Sequence, residues 1–195
     1  MKLITLSGLD GSGKSTQIDL LKKYLKEKDK TFFYFHAVEF SIANKGTKHS
    51  IGDLAPKKSV TEASWLKIQL RKIALLIDIL RFKKLIKTLK VDYIISDRYF
   101  YDSVANIFYL SGHLEAPLLS EKFIPRPDFA FYVGVKPEKI MQRERKPDQG
   151  MGYLVEKEKI YKRKIEDWQM IAVDGEEKKE EIFNKIKFKI WGETS

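Results

Sequence analysis

The sequence predicts an α/β domain, a five-stranded parallel sheet with helices on both faces. Three observations carry that prediction. Five short apolar segments, each the length of one strand, recur along the chain. The stretches between them repeat apolar residues at three- and four-residue spacing, the mark of amphipathic helices. Strands joined through helices run parallel, and a parallel sheet is covered on both faces. The 195 residues, 43% hydrophobic and 33% charged, suit one domain over residues 1–195 with a full-sized core.

Residues 3–7 (LITLS) form the first strand, and residues 8–16 (GLDGSGKST) lead into a helix over 17–28 with Ile18, Leu21 and Leu25 on one side. Residues 31–38 (TFFYFHAV), aromatic and β-branched, form the second strand. Residues 39–59 carry Gly46, Gly52 and Pro56 without periodicity and are expected to be a mobile loop. From 61 to 90 the pattern is helical, as two helices or one bent helix, with Trp65, Ile68, Ile73, Leu76, Leu80, Leu85 and Leu89 inward. YIIS is a buried strand ending at Asp97, and YFYDSVANIFYL fits a helix ending near Gly112. Pro117, Pro125 and Pro127 punctuate a connection with one short helix, before the strand over 129–135 (FAFYVGV). Pro137 opens a helix at the turn where its missing N–H is tolerated. That helix continues through Ile140 and Arg143 until KPDQGMG interrupts it. A helix over 154–168, the strand MIAV and a helix from about 177 to 190 complete the alternation.

Composition excludes several classes. The longest apolar run, IALLIDIL, contains Asp78 and falls short of the ~18 residues of a membrane helix. The start, MKLITLSGLDG, lacks the apolar core and cleavage site of a secretory signal, so a cytoplasmic protein is expected. Without cysteine there is neither a disulfide nor a thiolate metal site, and His36, His49 and His113 lack zinc spacing. A metal ion would be held by oxygen. The formal charge of +10 is spread over mixed-sign stretches such as KKYLKEKDK and EEKKEEIFNKIKFK. Such stretches are solvated helix faces, and a small polyanion is the expected partner, not a nucleic acid.

Gly8-x4-Gly13-Lys14-Ser15 fits the phosphate-loop pattern, and it lies after an apolar strand and before an amphipathic helix, where such a loop belongs. The glycines let main-chain N–H groups turn toward phosphate oxygens, and the helix start adds partial positive charge. Lys14 can bridge terminal phosphates, and the Ser15 hydroxyl can ligate Mg²⁺. Such a loop alone does not separate a GTPase, a motor ATPase and a small-molecule kinase. A second motif, SDRYFYDS, ends the third strand and brings Asp97 and Arg98 to the carboxyl edge of the sheet beside the loop.

With GLDGSGKST, SDRY, RPDFAFYV before PEKIMQR, and VDG in that order, the chain resembles the thymidylate kinases, P-loop nucleoside-monophosphate kinases, over nearly all its length. The resemblance implies a three-layer P-loop kinase fold and ATP-dependent phosphorylation of a nucleoside monophosphate, dTMP first, with ATP and Mg²⁺ bound. It further implies a homodimer. A kinase for a nucleoside or other small acceptor, and a nucleic-acid-binding ATPase, are the alternatives. By the resemblance Gly8, Asp10, Gly11, Ser12, Gly13, Lys14, Ser15 and Thr16 hold the nucleotide, with Lys14 catalytic. Arg98 grips the acceptor phosphate, Asp10 lies near the acceptor sugar, and Ser15 and Asp97 serve the metal. Trp65, Gln69 and Tyr99 are the further substrate candidates, and the acceptor loop offers Lys45 and Lys48. A lid over residues 143–153 supplies a catalytic arginine, Arg143 or Arg145, and its Pro147, Gly150 and Gly152 suit a hinged loop.

Overall fold

The computed structural model describes residues 1–44, 65–112, 117–144 and 146–192. Strands β1 (Lys2–Ser7), β2 (Phe32–His36), β3 (Tyr93–Asp97), β4 (Phe129–Gly134) and β5 (Ile171–Asp174) form one parallel sheet in the order β2-β3-β1-β4-β5. The helices are α1 (Lys14–Glu27), α2 (Ala37–Phe40), α3 (Trp65–Thr88), α4 (Phe100–Ser111), α5 (Pro137–Met141), α6 (Gly150–Lys164) and α7 (Lys179–Trp191). Because side chains alternate across a strand, consecutive residues feed opposite cores. Leu3, Ile94, Ala130 and Tyr132 pack with Leu75, Ile79, Phe82, Val104, Phe108 and Ile160, which belong to α3, α4 and α6. Ile4, Ile95, Phe131 and Val133 pack instead with Ile18, Leu21 and Leu25 of α1 and Ile182, Ile186 and Ile190 of α7. The result is the expected three-layer α/β fold. No helix among the described residues is long and apolar enough to cross a membrane.

Four details differ from the sequence reading. β2 stops at His36, whose Nδ1 accepts the Glu39 N–H at 3.3 Å and caps the single turn α2, so Ala37 and Val38 leave the strand. α1 begins at Lys14, before its apolar periodicity starts, because the glycine loop runs straight into the helix. α3 is one helix, and it buries Ile68, Ala74, Leu75, Asp78, Ile79 and Phe82, whereas Trp65 is 73% exposed and Ile73, Leu76 and Leu80 also face outward. The cause is Asp78. It is turned inward, where its carboxylate accepts the Ile42 N–H at 3.2 Å and the Arg81 guanidinium at 2.7 Å. Arg81 also donates to the Phe40 carbonyl at 3.0 Å, so the pair ties the chain after β2 to α3. Finally, α5 ends at Met141, short of Arg143, and α6 starts at Gly150, so the last four residues of the expected lid loop are helical. The mobile loop expected over 39–59 falls, from Lys45 onward and including Lys48, outside the described residues.

Candidate active site

The loop from Gly8 to Gly13 lies at the carboxyl edge of the sheet, between β1 and α1. Gly8 has φ +146°, and a Cβ there would stand 2.6 Å from the Val133 carbonyl oxygen, so no side chain fits. Gly13, at φ +97°, precedes α1 without a capping side chain, and the first turn of the helix carries no acidic residue. Its N–H groups and its dipole are therefore open to an anion. Lys14 curls back over the loop and donates to the Leu9 carbonyl at 2.6 Å and the Gly8 carbonyl at 3.1 Å. Burial lowers its pKa, against which the Asp102 and Asp97 carboxylates pull upward. Ser12 is buried, while Ser15 and Thr16, in the first turn of α1, are exposed.

Asp97 ends β3 and accepts the Tyr34 hydroxyl of β2 at 3.2 Å. Arg98 follows with φ +58°, a left-handed conformation that costs a non-glycine residue on the order of 1 kcal/mol. Its N–H donates to the Leu6 carbonyl at 3.1 Å, and its carbonyl accepts the Ser96 hydroxyl at 2.6 Å, so both sides of the kink are tied to the strands. The kink turns the guanidinium back over the loop, where it pairs with Asp10 and stands 3.7 Å from Asp102. Asp102 was not among the residues expected from the sequence. Its carboxylate accepts from the Ser7 hydroxyl at 2.6 Å, the Tyr99 N–H at 2.9 Å and the Tyr161 hydroxyl at 2.6 Å. The signal that could have found it is its place one helical turn after Arg98.

Two cavities open along this edge. One, of about 560 Å³, is lined by Gly11, Gly13, Lys14, Ser15, Thr16, Asp97 and Arg143. The other, of about 720 Å³, runs between α3 and α4 past Arg71, Leu75, Phe100, Ser103, Asn106 and Tyr153. Asp10, His36, Arg98, Lys146 and Pro147 line both. Arg143 donates to the Gly11 carbonyl and reaches the Gly175 carbonyl at 3.5 Å, which sets its guanidinium over the glycine loop. Arg145 lies outside the described residues. Three expected substrate residues stand elsewhere. Tyr99 is fully buried, its hydroxyl donating to the Pro125 carbonyl at 2.7 Å, because the kink that turns Arg98 outward turns its successor into the core. Trp65 and Gln69 line neither cavity; from α3 it is Arg71, Leu75 and Asp78 that reach the larger one.

The glycine loop thus opens on a cavity that adjoins a second one, with Arg98 among the residues they share. A sequence model described as thymidylate kinase matches residues 6–186. The chain belongs to the thymidylate kinase family. It is 30% identical over 196 aligned residues to the thymidylate kinase of Plasmodium falciparum, covering 95% of this chain and 87% of that one. A probable thymidylate kinase of Archaeoglobus fulgidus is 27% identical over 195 residues, 95% of this chain and 92% of its own. In fold it resembles the thymidylate kinase of Candida albicans, with a TM-score of 0.62 at 17% identity over 97% of this chain and 90% of the other.

Proposed function

We propose that this chain transfers the terminal phosphoryl group of ATP to the phosphate of dTMP, releasing ADP and dTDP. The observation that carries the reading is the joining of the two cavities at Arg98. The glycine loop and the start of α1 bind the donor phosphates through main-chain N–H groups. Lys14 exchanges the Gly8 and Leu9 carbonyls for phosphate oxygens. Arg98, preset by Asp10 and Asp102, grips the acceptor phosphate, one oxygen of which forms the new P–O bond as the bond to the ADP oxygen breaks. Arg143 offsets charge on the group in flight, and no protein nucleophile is required.

The donors present fit Mg²⁺. Ser15 and Asp97 line the smaller cavity with a hydroxyl and a carboxylate, hard oxygen ligands that leave room for phosphate and water. Bound there, the ion would neutralise charge on the donor phosphates. The partner reading is a homodimer through α3, whose exposed Leu66, Leu70, Ile73, Ile77 and Leu80 repeat at four- and three-residue spacing on one side. Sedimentation of the intact protein and of a Leu70→Glu, Ile77→Glu variant tests it, since a dimer held this way becomes a monomer in the variant.

Purified protein with ATP, Mg²⁺ and separate samples of dTMP, dUMP, UMP and CMP tests the activity. Equal amounts of ADP and dTDP are expected with dTMP. No diphosphate from any acceptor ends the reading. Activity on thymidine but not dTMP points to a nucleoside kinase, and salt-dependent DNA binding with ATP turnover alone points to an ATPase.

A further inference from the structure

Behind the wall of the larger cavity lies an amine that the transfer step does not use. Lys157, on α6, is 3% exposed, and its Nζ donates to the Asn106 Oδ1 at 2.5 Å. Among the described residues no carboxylate lies within ion-pair distance of it. The carboxylate whose charge acts on it, Asp102, is already taken by Ser7, Tyr99, Tyr161 and Arg98. A buried ammonium without a counter-ion is costly, and the Tyr153 and Tyr161 rings, 5.8 and 5.6 Å from Nζ, offset only part of that cost. The Tyr153 hydroxyl also points at Asn106 Oδ1, at 3.5 Å. An ammonium has only donors, so the amide atom facing it must be the carbonyl oxygen, whichever way the amide is first drawn. Asn106 itself lines the cavity.

We infer that Lys157 is a positioning residue for the acceptor nucleoside: it fixes the Asn106 amide so that its NH₂ faces the cavity and donates to an oxygen of the nucleoside, a sugar hydroxyl or a base carbonyl. This rests on the kinase reading above. The hold depends on pH. Burial and the Arg98 and Lys14 charges push the Lys157 pKa down to about 7, while Asp102 pulls it up. The remaining groups around Nζ, Tyr153 and Tyr161 of α6 and Asn106 of α4, are uncharged at that pH. Once neutral, the amine accepts as well as donates, and the amide is no longer held in one orientation.

Steady-state kinetics of the whole protein with dTMP tests this. Lys157→Met is expected to raise KM for dTMP about tenfold, the loss of one oriented hydrogen bond, with kcat and KM for ATP kept within about twofold. Asn106→Ala should do the same, and the double variant should be no worse than either single one. The unmodified protein should lose kcat/KM for dTMP as pH rises through about 7, and Lys157→Met should lack that fall; the substrate phosphate titrates in both and cancels. The dTMP analogue lacking the 3′-hydroxyl separates the two oxygens. A penalty that vanishes with the analogue assigns the bond to the sugar, and one that persists assigns it to the base. Should Lys157→Met not fold, Asn106→Ala decides alone. Unchanged KM for dTMP, or equal losses for dTMP and ATP, would overturn the inference with the kinase reading intact; inactivity of the unmodified protein toward every monophosphate would remove both.

Discussion

The Arg98 guanidinium and the Asp102 carboxylate face each other at 3.7 Å across the first turn of α4, and the aspartate is locked in place by three further bonds. Its three other donors come from β1, from the turn before α4 and from α6, that is, from three separate parts of the chain. Arg98 thereby takes its position from the packing of the domain.

Asp102→Asn keeps the shape and removes the charge. An amide cannot accept at both ends, so one of its buried donors loses its partner and Arg98 loses a fixed anion. KM for dTMP should rise about tenfold and the melting temperature should fall by several degrees, while KM for ATP stays nearly constant. Equal changes in both KM values would mean that Arg98 does not stand on the acceptor side.

Lys14→Ala should abolish transfer with the fold retained. The side chain contributes little to either core, and removing it relieves a desolvated charge. A fall in kcat on the order of 10³-fold is expected, from the loss of a fixed charge at the transferring group. Circular dichroism confirms folding, and wild-type turnover in the variant would remove the glycine loop from the mechanism.

Arg143→Ala separates the two basic candidates that follow α5. If Arg143 supplies transition-state charge, kcat falls on the order of 10³-fold with KM for ATP little changed. Full activity would pass the role to Arg145. Limited proteolysis near Lys146 adds a check on closure over the donor, since cleavage should slow when ATP and dTMP are both present.

Stability should rise with pH above neutrality. Lys14 and Lys157 both bind protons less tightly folded than unfolded, Lys157 titrating near 7 in the native state against an ordinary 10.5. Between those values the unfolded chain holds more protons, so unfolding becomes harder as pH increases. Urea unfolding at pH 7, 8 and 9 measures the slope, and Lys157→Met should flatten it. Above pH 10 the trend reverses, because buried Tyr99, Tyr132 and Tyr161 keep their protons when folded and release them when unfolded.

The five strands and the glycine loop were legible because each depends on a local pattern: short apolar runs, and a loop whose glycines, lysine and serine each have a separate task. The orientation of α3 was not. Leu66, Leu70, Ile73, Ile77 and Leu80 form an exposed apolar side on a helix that buries Leu75, Ile79 and Phe82 on another, so periodicity alone names no inner side. Asp78 lies inside because its carboxylate has two partners there, which the sequence does not show. Asp102 and Lys157 escaped notice because their meaning depends on residues from other elements, Tyr161 and Asn106, that only folding brings near. Arg98 was legible as a type, but the positive φ that aims it was not.

The Lys14 side chain, closed upon the carbonyls of Gly8 and Leu9, bears on the design of inhibitors. A neutral molecule entering the donor side would have to leave that amine on the loop or strip it of two hydrogen bonds with no anion to offer in return. The acceptor cavity makes no such demand: Leu75, Phe100, Ile107 and Leu110 give it apolar wall beside Arg71 and Asn106. Uncharged, cell-permeable compounds should therefore be sought against the acceptor side, and screens run at saturating ATP would find them without competition from the donor.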